Sequence, residues 1–164
     1  MIVASQSSAF ALTVSHFDNP TASRVLVQSN WSAPSFVPAH VAPTAGLDKE
    51  QVWADNAATS DFFGNVYTCF TDFHSFSRGH NFALFPMVAV SSDGGVTWTA
   101  RHVAPPTTAL PQGFHQGCTV RTDSHGVVYA FFTHFSETSN VGAQTMVRSF
   151  DGGHTWTPPR DVVT

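Results

Sequence analysis

Two octapeptides carry the chemistry most open to a catalytic or metal reading: SSDGGVTW, Ser91 to Trp98, and SFDGGHTW, Ser149 to Trp156. Each combines a carboxylate, hydroxyls and glycines, the ingredients of a cation loop. A calcium site needs six or more oxygen ligands, and one carboxylate does not supply them. Asp-Gly-Gly between two strands is instead a hairpin signal, because glycine takes positive φ at no steric cost. The Asp and the Ser or Thr hydroxyls can accept or donate hydrogen bonds within their own turn. The Trp adds a large apolar plate for packing. All six shared residues are thus explained by a turn, and chemistry must be sought elsewhere. Cys69 and Cys118 lack the paired spacing of a zinc site. Among apolar and small neighbours they read as free buried thiols, with a disulfide between them as the alternative. Tyr67 and Tyr129 occupy matching places within strands and read as core, and the six arginines are scattered.

The elements around these turns also recur. GNVYTCFTDF (Gly64 to Phe73) parallels GVVYAFFTHF (Gly126 to Phe135), and VWAD (Val52 to Asp55) parallels VRTD (Val120 to Asp123). The offsets are 62 and 68 residues, against 58 for the octapeptides, so length differences fall in loops. Each unit reads as four strands. In the first these are about 51–54, 65–70, 82–91 and 97–103. In the second they are about 118–122, 127–133, 144–149 and the run after Thr155. The first third is a weaker copy, in which FALTVSHF (Phe10 to Phe17) parallels the Tyr-bearing second strands. Arg24 to Pro34 then parallels the third strand and its turn with Asp-Gly-Gly deleted. On this reading Ser15-His16-Phe17, Thr71-Asp72-Phe73 and Thr133-His134-Phe135 are one theme, and the first unit lacks its opening strand.

Composition agrees with an all-β chain. Of 164 residues 42% are hydrophobic and only 11% charged, with 15 Phe, 11 Gly and 10 Pro. Strand formers bounded by Gly, Pro, Asn and Asp dominate, and no helical period is sustained. A net charge of -4 gives no basic face for nucleic acid. No stretch approaches the roughly 18 apolar residues of a membrane span. The N-terminus carries no basic, apolar signal-peptide pattern. Asn30-Trp31-Ser32 fits a glycosylation acceptor, a pattern too short to be specific. No cofactor motif and no metal site are assigned.

Ser-x-Asp-x-Gly-x-Thr-Trp resembles the Asp box of the sialidase-like, or BNR-repeat, β-propellers. Ser91, Asp93, Gly95, Thr97 and Trp98 match it, as do Ser149, Asp151, Gly153, Thr155 and Trp156. The resemblance implies propeller blades of four antiparallel strands: a degenerate partial blade over 1–45, then blades over 47–104 and 113–164. It implies recognition or hydrolysis of a glycan, with a non-catalytic binding or adhesion module as the alternative, and an extracellular or periplasmic setting. Such hydrolases use an arginine cluster and a tyrosine nucleophile with carboxylate partners. No Phe/Tyr-Arg-Ile-Pro motif is present, so the full catalytic set is not in this chain.

In such blades the substrate face lies opposite the Asp-box turns, at the start of first strands and the end of second strands. That implication selects Asp48, Lys49, Glu50, His115 and Gln116, together with His16, Asp72, His74 and His134, and Arg78 and His80 in the following loop. These types suit hydrogen bonding to sugar hydroxyls or holding a cation. Asp72 and His134 have the alternative of merely finishing a strand. His102, His125 and His154 receive no role. Propellers close with about four to eight blades, so two and a half imply further blades from a longer chain or association with copies of itself.

Overall fold

The computed structural model describes residues 2–6, 12–38, 46–76, 81–105, 107–108, 114–136 and 141–164. Within them the chain is all-β, and its one helical element is a 3-10 turn at Gln28–Asn30. The strands form three separate antiparallel sheets, none of them closed. The first sheet orders β1 (Ile2–Gln6), β2 (Leu12–His16) and β3 (Ser35–Phe36). The middle sheet orders β4 (Gly46–Ala54), β5 (Val66–Phe76), β6 (Asn81–Ser91) and β7 (Thr99–His102), with β8 (Thr107–Thr108) also paired to β6. The last sheet comprises β9 (Phe114–Thr122), β10 (Val128–Ser136), β11 (Val141–Ser149) and β12 (Arg160–Val163), in simple up-and-down order.

The Asp-Gly-Gly turns join β6 to β7 and β11 to β12, and each is closed by its own side chains. Asp93 Oδ1 accepts from the Ser91 hydroxyl at 2.7 Å and from the Thr97 amide at 2.9 Å. Its Oδ2 accepts from the Thr97 hydroxyl at 2.6 Å. Asp151 repeats the arrangement with Ser149 and Thr155 at 2.8, 2.8 and 2.6 Å. The Thr155 hydroxyl, the Thr155 amide and the Ser149 hydroxyl push the Asp151 carboxyl down to about 2 against the opposing effect of burial. Both carboxylates are therefore committed to the turn.

Two apolar layers hold the three sheets together. Leu12, Val14, Val37, Leu47, Val66, Phe70 and Trp98 pack between the first and middle sheets. Tyr67, Val88, Val90, Val120, Val128, Phe132 and Val147 pack between the middle and last. Each large side chain buried here contributes about 1.5–3 kcal/mol. The alternation of β5 divides it between the layers: Val66 and Phe70 face the first sheet, Tyr67 and Cys69 the last.

The layers also decide the cysteines. Cys69 on β5 and Cys118 on β9 form a disulfide with Cα atoms 6.0 Å apart. The expectation of free thiols fails because burial in one shared layer is what brings the two sulfurs together.

The register shows how the sheets correspond. Residues 49–50 of β4 bulge opposite Phe70, and residues 117–118 of β9 bulge opposite Phe132. Lys49 and Gly117 occupy the same bulge position, with φ of 59° and 66°. Asp48 therefore corresponds to Gln116, Leu47 to His115 and Asp72 to His134. In the first sheet, Ser32 donates its amide to His16 O at 2.9 Å, and the His16 amide donates to Ser32 Oγ at 3.0 Å. The Thr157 amide and Arg148 O, with the Arg148 amide and Thr157 Oγ1, make the same pair at 2.8 and 3.0 Å. Likewise Val37 N to Leu12 O matches Val103 N to Pro86 O, both 2.9 Å.

These pairs correct the reading of the first third. The strand β2 corresponds to the third strands β6 and β11, not to the second. His16 is therefore the counterpart of Arg148, and Ser15-His16-Phe17 is no counterpart of Thr71-Asp72-Phe73. Thr21 to Asn30 is a run of turns rather than a strand, its carbonyls at Thr21 and Val27 accepting short-range amides. Only the stretch from Asn30 to Pro34 keeps its expected match, to the stretch from Thr155 to Pro159. In place of the missing turn, Asn30 donates its side-chain Nδ2 to Arg24 O at 2.9 Å.

Candidate functional site

The Asp-Gly-Gly turns lie at one end of the sheets, together with the β4–β5 loop and the β9–β10 turn. The start of β4, the end of β5, the start of β9 and the end of β10 lie at the other. Asp48, Lys49, Asp72, His74, His115, Gln116 and His134 all belong to this second end. For His74 only the backbone is described, paired with Ala83. Arg78 and His80 lie outside the described residues. His16 is at the opposite end, where it lines a cleft with Asp18, Arg24 and Trp31.

The two bulges build the centre of the site. A positive-φ residue turns the strand and re-aims the side chains beside it. The Asp48 carboxylate accepts the Lys49 amide at 2.8 Å and lies 3.2 Å from Lys49 Nζ. Its Oδ2 also accepts from Gln116 Nε2 at 3.4 Å, so the equivalent residues of two successive sheets meet directly. Both members of the Asp48–Lys49 pair keep water contact, 41% and 58% exposed. Glu50, the second bulge residue, is half-buried.

Two histidines belong to the same end. His115 and His134 are cross-strand neighbours on β9 and β10, their rings edge to face at 5.0 Å. His115 is buried and also meets Phe132 at 4.9 Å. Burial first, and the adjacent His134 second, push His115 down to about 4, against the opposing pull of Asp161 and the Pro105 carbonyl. At neutral pH it is an uncharged imidazole.

Asp72 stands apart. It is completely buried and pairs with Leu47 and Phe85, and it shares the face of β5 that carries Phe70 toward the first sheet. The structure thus joins Asp48, Lys49 and Gln116 in one set of contacts and His115 with His134 in another at the same end, and leaves Asp72 on the other face of the middle sheet. Among the described residues no three His, Cys, Asp or Glu side chains are placed to hold a metal ion.

No protein-family profile and no curated protein matches the sequence at a significant level. A solved structure of a protein of unknown function from Dyadobacter fermentans superposes with a TM-score of 0.40 at 11% identity. That alignment covers 98% of this chain and 68% of that chain. A likeness at this level assigns neither family nor function. No described helix is long and apolar enough to cross a membrane.

Sequence reasoning missed the bulges that give this end its shape. Gly117 was the available signal, since a lone glycine inside a strand pattern marks a bulge. Lys49 gave none, because lysine has no preference for positive φ.

The depressed His115 makes a pH prediction. A histidine whose folded value lies below its unfolded 6.5 binds protons more readily when unfolded. Its contribution is complete above pH 6.5 and is lost as the pH falls toward 4. The loss is on the order of 2–3 kcal/mol. Urea midpoints at pH 7.5, 5.5 and 4.5 should fall steeply for the natural chain. They should fall less for His115→Leu, which copies the equivalent Leu47. Equal slopes would remove His115 as the cause.

Proposed function

We propose that the three sheets are successive blades of a sialidase-like, Asp-box β-propeller. On this reading the end bearing Asp48, Lys49, His115, Gln116 and His134 recognises a glycan. One observation carries the reading. Asp48 and Gln116 hold equivalent places in neighbouring sheets and meet at 3.4 Å over matching bulges, so two repeats aim polar groups at one spot. The resulting set offers a carboxylate acceptor, ammonium and amide donors, and imidazoles that do either. Vicinal sugar hydroxyls, each donor and acceptor, are matched by such a mixture.

Recognition is favoured over hydrolysis by where the tyrosines lie. Tyr67 is fully buried, 3.3 Å from where a side chain on Gly153 would begin. Tyr129 donates its hydroxyl to Asp123 at 3.0 Å at the turn end. Neither reaches the bulged end. The Cys69–Cys118 disulfide supports an extracellular or periplasmic setting, since such bonds persist in oxidising compartments.

The test is a glycan array on the purified chain, followed by calorimetric titration of whichever glycan is retained. Asp48→Asn and Gln116→Ala should each weaken binding by about tenfold, the loss of one or two polar contacts, with near-UV circular dichroism unchanged. Binding that ignores both substitutions, or no retained glycan at all, would refute the reading.

A further inference from the structure

A groove of about 870 Å³ lies between β7 and the segment that follows the second Asp-Gly-Gly turn, and reaches as far as Pro105. Its walls include Arg101 and His102 on one side and His154, Trp156, Pro158 and Pro159 on the other. Nothing acidic lines it, although the protein carries a net charge of -4. The carboxylates nearest in sequence are already engaged: Asp161 accepts the Thr145 hydroxyl at 2.5 Å, and Asp151 is held by its own turn. Arg101 is exposed and forms no ion pair among the described residues.

A second observation concerns the groove's indole. Trp98 donates Nε1 to Ser35 Oγ at 3.0 Å and to Gly95 O at 3.1 Å. Trp31 donates to Val25 O at 2.9 Å. The equivalent Trp156 Nε1 is buried with no acceptor. By register, Ser35 opposite Val14 corresponds to Arg101 opposite Val88. A cation therefore stands where the equivalent interface places the indole's acceptor. A buried donor without a partner is costly, and a donor beside a cation asks for an anionic acceptor.

The third observation is the edge. In the path β4–β5–β6–β7 the outer side of β7 has no strand beside it among the described residues. An exposed edge is a template for an added extended chain. We propose that this groove docks an extended acidic peptide segment, which lies along β7 and places a carboxylate against Arg101 and Trp156. His102 and His154 add donors at the rim and favour the same charge. Two of the three histidines that the sequence left without a role thereby gain one.

The probe is a fluorescein-labelled octapeptide alternating Glu with Val and Thr, titrated by anisotropy at low salt, with a Lys-for-Glu version as control. Saturable binding of the acidic peptide alone is expected, weakened about tenfold or more by Arg101→Glu and by added salt. Asp48→Asn, outside the groove, should leave it unchanged. In nitrogen-15-labelled protein the four tryptophans give four indole signals. The one abolished by Trp156→Phe should shift on peptide addition, and that of Trp98 should stay. No binding, equal binding to Arg101→Glu, or equal binding of the Lys peptide would overturn the proposal. So would a polyuronate that binds where the peptide does not.

Discussion

Removing the Cys69–Cys118 bridge should lower the unfolding free energy by roughly 4 kcal/mol, since closing a loop of about 50 residues restricts the unfolded chain by that amount. The bond joins β5 to β9 across a sequence separation of 49 and couples the middle sheet to the last. Cys69 is completely buried, so Cys69→Ala/Cys118→Ala is the suitable pair, introducing no buried polar atom. Chemical denaturation of this variant and of the natural chain, each with and without reductant, measures the effect. Reductant should destabilise only the natural chain. The natural chain should also gain two mass units on reduction and show no reactive thiol before it. Two reactive thiols in the folded protein, or an unchanged midpoint in the double variant, would show that the bridge does not form.

The second large effect separates two glycines that the sequence presents as equals. Gly94 and Gly152 occupy the same place in the two Asp-Gly-Gly turns, at φ of 74° and 68°. A side chain at Gly94 meets nothing within 4 Å. One at Gly152 would lie 2.7 Å from a ring carbon of Phe62, in the loop that joins β4 to β5. Gly94→Ala should therefore cost only the backbone penalty, about 1–2 kcal/mol. Gly152→Ala adds overpacking of about 1–3 kcal/mol and should total roughly 3 kcal/mol. Adding Phe62→Ala to Gly152→Ala should make the pair less damaging than the sum of the two single changes. Equal costs for Gly94→Ala and Gly152→Ala in thermal denaturation would remove Phe62 from the account.

That contrast also marks what a sequence can and cannot convey here. The turns were legible because their chemistry is local: Asp93 and Asp151 bind groups no more than four residues away. The four-strand order of the last two sheets followed from the repeat. The residues of the far end were selected through the blade arrangement that the Asp-box resemblance implies. What escaped depends on contacts between distant segments. Cys69 corresponds in register to Phe131 and Cys118 to Glu50, so the repeat gives no hint that they pair. The shift of β2 from second to third strand was hidden by the different connection between His16 and Ser32, where the Asp-Gly-Gly signal is missing. The sequence alone did not assign Asp72 to a side of β5, because its face depends on which neighbour each layer packs against. Lys49 adopts a glycine-like conformation that its residue type conceals.

Phe62 has one more consequence, in time rather than in space. Its ring closes against Gly126 and Gly152, the latter ninety residues further along the chain. A ribosome adding roughly 5–20 residues per second needs several seconds or more to cover that distance. Once β7 has emerged, ending at His102, the middle sheet still waits 16 residues for Cys118 to meet Cys69 and 50 residues for Gly152, with its aromatic latch unoccupied. The sheet is thus complete in hydrogen bonds long before it is complete in packing. Whatever accompanies the nascent chain during those seconds meets an exposed phenylalanine and a reactive thiol that the finished protein no longer shows.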